Sequence, residues 1–374
     1  MKNKLNFSRI KKFIIICFTI YFAFLILGSE KAASGIKKGL SLSVKSLVPS
    51  LFPFMVLANF AALSDLKDFF SGIFGKLGEK LFRCPSKYSF VLIFSLLGGY
   101  PVGAQLINNM YETGEISIGE AEKLLCFCVN CSPAFIINAI GIGILKNAKA
   151  GLIIWISEVL AALTTANFVR VKNSGKEKIK QEKNINSYTN AFTESVEKST
   201  VSMLKICGFT SVFVAAEYVL SDLRWIKLFF NFIYDKFFVN FMYREFFDKL
   251  CKGIFEINSG IFFGENNIEF MGLFTFLTAF GGIAVFFQIR SITNKNISLK
   301  PFVISRFFMG FYSAFLSEIL KKKFIPEAVS TMVGEGVKIY INSNCVIYTM
   351  CMLSMISMIF LSDYKFSERI YNNI

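Results

Sequence analysis

Nine apolar segments, each near the length needed to cross a membrane, constrain this chain more than any other feature. They lie near residues 13–28, 47–63, 88–107, 124–145, 150–169, 200–221, 268–289, 301–320 and 343–362. A helix needs about 20 predominantly apolar residues to span the hydrocarbon core. Shorter apolar stretches at 69–82 and 225–263 are mixed with charge and read as interfacial or re-entrant pieces. Composition agrees: 54% of residues are apolar and only 18% charged, against about 25% charged in soluble domains. The expected fold class is an all-α polytopic membrane protein with about 8–10 transmembrane or re-entrant helices.

The formal net charge of +15 is explained by the membrane rather than by nucleic acid. Lys and Arg collect in cytoplasmic loops, and no basic patch is interleaved with aromatic residues on a soluble module. One cluster is Lys2, Lys4, Arg9, Lys11 and Lys12; the other is Arg170, Lys172, Lys176, Lys178, Lys180 and Lys183. The expected organisation is an N-terminal anchor over 1–30 and a first membrane half over 45–169. A polar basic cytoplasmic linker over 170–198 follows, then a second half over 199–374. The anchor is expected to stay uncleaved, because no small-residue site follows Leu27-Gly28-Ser29-Glu30. If both clusters are cytoplasmic, an even number of passages separates them. Five candidate segments lie between, so one must turn back. The segment 47–63 is the expected hairpin, since Pro49 and Pro53 remove backbone donors.

Three polar interruptions stand inside apolar runs. The first is Gly98-Gly99-Tyr100-Pro101, with Gln105 beyond it. The second is Asn130-Cys131-Ser132-Pro133, and the third is Glu256-Ile257-Asn258-Ser259-Gly260. Such breaks free amides and carbonyls, each costing several kcal/mol in lipid. Another helix, water or a solute must meet them. Transporters use broken helices in this way, with half-helix N-termini turned toward anionic groups. A kink with close helix packing is the other reading. The pair Gly281-Gly282 followed by Gln288 echoes Gly98-Gly99 followed by Gln105, which marks a candidate repeat between the halves.

Ionisable groups within spans are functional candidates by default. Here they are Glu158, Glu217 and Arg306. Arg306 either neutralises a solute carboxylate or pairs with a glutamate. The spacing of Cys126, Cys128 and Cys131 is reminiscent of metal ligands, but in an apolar run cysteine acts as a small hydrophobe. No metal or cofactor is expected. With no His in the chain, the commonest acid–base side chain is missing. No Gly-x-Ser-x-Gly and no P-loop is present either. An enzyme is not expected.

The run from Leu96 to Leu145, with Gly99–Ala104, Gly114–Ser117 and Asn130–Pro133 in order, resembles the sporulation integral membrane proteins that carry a nucleoside-recognition Gate domain. The stretches around residues 50, 256–260 and 280–289 are similar to family positions as well. The resemblance covers about 45–320. The chain departs from the family at Cys131, where a second Asn is usual, and at Phe286 or Phe287, where His is usual.

The resemblance implies a multi-pass protein of a membrane around the forespore. It implies a small anionic metabolite as cargo, with dipicolinate the candidate. The expected solute-binding residues are Gly98, Gly99, Tyr100, Pro101, Gln105, Asn130, Ser132, Glu256, Asn258, Gly281, Gly282, Gln288 and Arg306. Expected partners are the lipid bilayer, the anionic solute, and a coupling ion (H+ or Na+) or sporulation membrane proteins. The two halves would be related as an inverted repeat. Two alternatives stay open: a membrane scaffold for sporulation proteins, and a transporter of a nucleoside-like solute.

Overall fold

A computed structural model describes residues 28–169, 171, 187–262 and 267–325, together with Ile15 and Thr19. The expected anchor before Gly28, most of the linker, the segment 343–362 and Gly264 lie outside the described residues. All regular structure among the described residues is helical. Five of these helices are long and apolar enough to cross a membrane: Ser29–Leu63, Ala148–Val169, Tyr188–Asp222, Ile268–Ile292 and Lys300–Phe324.

The elements fall into two sets of the same order. The first begins with α1 (Ser29–Leu63) and a short amphipathic helix, α2 (Leu66–Phe82). A 3-10 turn at Ser86–Tyr88 leads into α3 (Ser89–Gly98), which is followed by α4 (Tyr100–Glu112). Next come α5 (Ile118–Leu125), a non-helical stretch, the π-helical α6 (Ala134–Ile144) and the long α7 (Ala148–Val169).

The second set opens with α8 (Tyr188–Asp222) and the amphipathic α9 (Arg224–Ile233). It continues through α10 (Arg244–Phe255) and α11 (Ile257–Phe262). A 3-10 turn at Ile268–Phe270 starts α12 (Met271–Phe280); then come α13 (Gly282–Ile292) and α14 (Lys300–Phe324).

Each set is therefore a long helix, an amphipathic helix, a hairpin, an interrupted helix and a closing helix. The hairpins follow from close contacts across each break. A Cβ placed on Gly103 would lie 2.9 Å from the Ser95 Cβ, so α4 runs back along α3. A Cβ on Gly260 would lie 2.5 Å from the Gly253 Cα, so α11 runs back along α10.

The opening helices set the two directions. α1 and α8 pack side by side, with Gly35 against Ala215, Gly39 against Ser211 and Asn59 donating to the Ser199 hydroxyl at 2.9 Å. Rising numbers in one meet falling numbers in the other, so the helices are antiparallel. Gly35 and Gly39 form a small-x-x-x-small stripe that lets backbones touch where no hydrophobic force drives helices together. Two sets of the same order with antiparallel opening helices make an inverted arrangement, and the hairpins come in from opposite faces.

Three sequence expectations are corrected here. The segment 47–63 is not a hairpin: it is the second half of the continuous α1. A π turn at Ser43–Leu47 precedes Pro49, and Pro53 lies inside the helix beyond it. The segment that turns back is 88–107, at Gly99. Gly98–Gln105 and Gly281–Gln288 are not counterparts either. The first lies in a hairpin and the second in an interrupted helix, so by position the tip at Gly99 matches Glu256 and the break at 126–133 matches Gly281. Finally, α8 begins at Tyr188, inside the stretch assigned to the linker.

Within 29–169, α1 and α7 are long and apolar enough to cross a membrane. Contacts at one face of the helices agree with the antiparallel order of α1 and α8. The Tyr188 hydroxyl donates to Asp65, Asn294 N–H donates to Asn108 Oδ1 at 2.7 Å, and Ser298 N–H donates to Glu122 at 2.9 Å. On the opposite face Lys31 meets Asp222. The helix α9 has no buried residue and exposes Trp225, Leu228, Phe229 and Phe232 beside Arg224 and Lys227, the pattern of a helix lying in the membrane interface.

Candidate functional site

The tips of both hairpins meet near the middle of the molecule. The first tip is Gly99, whose φ of 87° and ψ of −179° belong to a region that is essentially restricted to glycine. That conformation reverses the chain and starts α4 at Tyr100-Pro101, where Pro at the first turn loses no helical hydrogen bond. The second tip is Glu256, in extended backbone between α10 and α11. Its carboxylate accepts from Ser259 N–H at 3.0 Å and from Asn258 Nδ2 at 2.8 Å. It thus caps the short helix that follows it.

Each tip lies beside an interrupted helix. Hairpin 1 is pressed against the break in α5–α6: a Cβ on Gly103 would fall 1.7 Å from the Cys128 carbonyl oxygen. Hairpin 2 meets the other break, since a Cβ on Gly282 would fall 3.0 Å from the Gly253 carbonyl oxygen. The break in α12–α13 is made by Gly281 and Gly282, with φ of 93° and 68°. Ser132 caps α6, its hydroxyl accepting from Phe135 N–H at 3.2 Å. The Tyr100 hydroxyl crosses between the halves and donates to the Thr278 carbonyl.

Between these parts is a cavity of about 470 Å³, its open mouth included. Of the expected residues, Tyr100, Pro101, Ser132, Glu256, Asn258 and Gln288 line it. Cys131, Thr210, Leu51, Phe135, Ile206 and Val285 contribute to its walls. Thr210 was not among the expected residues; Gln288 Nε2 donates to its hydroxyl at 3.4 Å. A lone Thr in an apolar helix gives no signal, because its hydroxyl is usually satisfied by its own backbone.

The other expected residues surround the cavity without being among its lining. Gly98 ends α3 and Gly99 is the tip. Gln105 is buried on α4 with its Oε1 unpartnered. Asn130 donates to the Phe127 carbonyl at 2.7 Å and leaves Oδ1 unpartnered. Gly281 and Gly282 form the second break.

Arg306 reaches backbone rather than the cavity. It is 1% exposed. It donates to the carbonyls of Val129 at 2.5 Å, Cys126 at 2.6 Å and Ala279 at 3.4 Å. One guanidinium thus takes up carbonyls released by both interruptions, where a planar fork of five donors suits several acceptors at once. Glu158 lies within electrostatic reach of it and faces Thr278.

Four half-helices start around the cavity: α4 at Tyr100, α6 at Ala134, α11 at Ile257 and α13 at Gly282. Helix N-termini carry partial positive charge; at α6 and α11 a first-turn N–H is already taken by Ser132 and Glu256. The site combines this with neutral donors and acceptors from Tyr100, Ser132, Thr210, Asn258 and Gln288, and with one carboxylate, Glu256.

Comparison with known proteins adds one relative. The Bacillus subtilis (strain 168) protein named "Sporulation integral membrane protein YlbJ" is 24% identical over 345 residues, which cover 85% of either chain. No protein-family model matches the chain, and no solved structure matches it. The chain is a multi-pass membrane protein related to a sporulation integral membrane protein.

Proposed function

We propose that this protein is a secondary transporter that carries a small anionic solute through the site between the two hairpin tips. The observation that carries this reading is the pair of hairpins, set in from opposite faces and meeting at one cavity whose mainly apolar wall carries a few polar side chains. Each tip closes the site toward one side, so loosening one and then the other would expose the solute alternately. The half-helix N-termini favour an anion, and Asn258, Gln288 and Thr210 would bind its polar edge. Glu256 would accept a hydrogen bond from the solute or hold the tip in register.

Dipicolinate is the solute we put forward, and a membrane around the forespore the place. The sporulation protein similar to this chain supports that choice. The test is equilibrium binding of labelled dipicolinate to the purified protein. Saturable binding is expected, weakened at least about tenfold in Gln288→Ala and Asn258→Ala, since each removes hydrogen bonds to a desolvated polar group. Absence of saturable binding, or equal affinity in both variants, would contradict the proposal. A nucleoside that displaces the label would move the assignment to the alternative solute class.

A further inference from the structure

Hairpin 2 and the α8 helix beside it carry three buried oxygen atoms without partners. They are Glu217 Oε2, Asn258 Oδ1 and Ser259 Oγ. Their residues are 9%, 4% and 0% exposed. Buried acceptors without partners are costly and need an explanation.

The packing of α8 on hairpin 2 brings Glu217 and Ser259 together, and Asn258 is the next residue in the chain. Thr210, Phe213 and Glu217 share one stripe of α8, at helical spacing. Phe213 packs on Phe255, just before the hairpin tip, with ring centroids 5.2 Å apart. The Ser259 hydroxyl faces the Glu217 carboxylate without making a hydrogen bond that satisfies both groups.

Local chemistry explains why these atoms stay free. Asn258 has its amide nitrogen committed to Glu256. Turning the amide over would set oxygen against carboxylate oxygen, so Oδ1 must point elsewhere. Other buried hydroxyls here, such as Ser157, Thr165 and Thr275, donate to the carbonyl four residues back in their helices. For Ser259 that residue is Phe255, on the far side of the tip, and α11 begins only at Ile257. The Ser259 hydroxyl bonds neither that carbonyl nor the Glu256 carbonyl three residues back.

We propose that Glu217, Asn258 and Ser259 form a binding site for a monovalent cation of the Na+ class, beside the solute cavity. The donor set is all oxygen, which suits a hard cation. Within this donor set Glu217 supplies one carboxylate, which as its anion matches a single positive charge. A bound cation ties the tip of hairpin 2 to α8. Asn258 also lines the solute cavity, so cation binding sets the wall that the solute meets. The coupling role rests on the transport reading above; the cation site does not.

The test uses the full chain, purified, with no solute. Thermal unfolding is followed in NaCl and in choline chloride at equal ionic strength. A ligand that binds only the folded state raises the midpoint in a saturable way. Sodium is expected to do so and choline not. Glu217→Gln is expected to abolish the shift. Ser259→Ala, a mild change, is expected to raise the half-saturating Na+ concentration at least about tenfold while leaving the midpoint in choline near wild type. Coincident curves in wild type would overturn the site and leave water as the occupant. A sodium shift unchanged in both variants would overturn it as well. Uptake driven by protons alone, with no sodium shift, would remove the cation site and keep the transporter. A sodium shift without solute binding would do the reverse.

Discussion

Arg306→Ala is expected to destabilise the protein by about 3–5 kcal/mol, the range for removing one partner from a buried charged contact. The guanidinium is the shared partner of three carbonyls, on Cys126, Val129 and Ala279. These belong to the two interrupted helices, one in each half. Without it the carbonyls lose their donors in a region that excludes water, and Glu158 loses the positive charge beside it. Arg306→Lys keeps the charge but offers a compact head in place of a planar fork, so an intermediate loss is expected. Thermal unfolding of the purified protein measures both. An unchanged midpoint together with lost solute binding would put Arg306 on the solute instead.

Gly99→Leu is expected to abolish solute binding. The residue has φ of 87° and ψ of −179°, a conformation that costs a side-chain-bearing residue about 1–3 kcal/mol. Even a Cβ would lie 2.8 Å from Leu51 Cδ2 and 3.3 Å from the Ser132 Cβ, and Leu51 and Ser132 both line the cavity. The rest of a leucine side chain would then project among those wall residues. Gly99→Ala keeps the backbone strain with far less volume and is expected to retain part of the binding. Labelled-solute binding to the two variants, with size-exclusion profiles as the check on folding, separates strain from occlusion. Wild-type affinity in Gly99→Leu would show that the tip does not border the solute.

Hydropathy made the helical membrane class legible, because helices that cross lipid must be apolar along their length. It could not tell a helix that crosses from one that turns back. Segment 88–107 is as apolar as a span, and one glycine in a conformation barred to other residues reverses it. Segment 47–63 carries two prolines, yet α1 continues through them behind a π turn. In both cases backbone conformation decided the path: Gly98-Gly99-Tyr100-Pro101 marked a break without showing a reversal, and Pro49 and Pro53 suggested a turn that α1 does not make. The polar breaks were readable for the opposite reason: Tyr100, Ser132, Glu256, Asn258 and Gln288 interrupt apolar runs, and polarity in lipid is conspicuous. Thr210 was invisible because a single hydroxyl interrupts nothing. The Gly-Gly resemblance between halves was misleading, since both pairs break helices but in different elements. The true correspondence lies in the order of elements and in the antiparallel contact of α1 with α8.

Uptake of labelled dipicolinate into proteoliposomes tests most directly whether a solute passes between the hairpin tips. Wild-type protein is expected to accumulate the label under an imposed sodium or proton gradient, and Gly99→Leu, reconstituted to the same level, is expected not to. Equal uptake by both proteins, or none by the wild type under either gradient, would contradict the account.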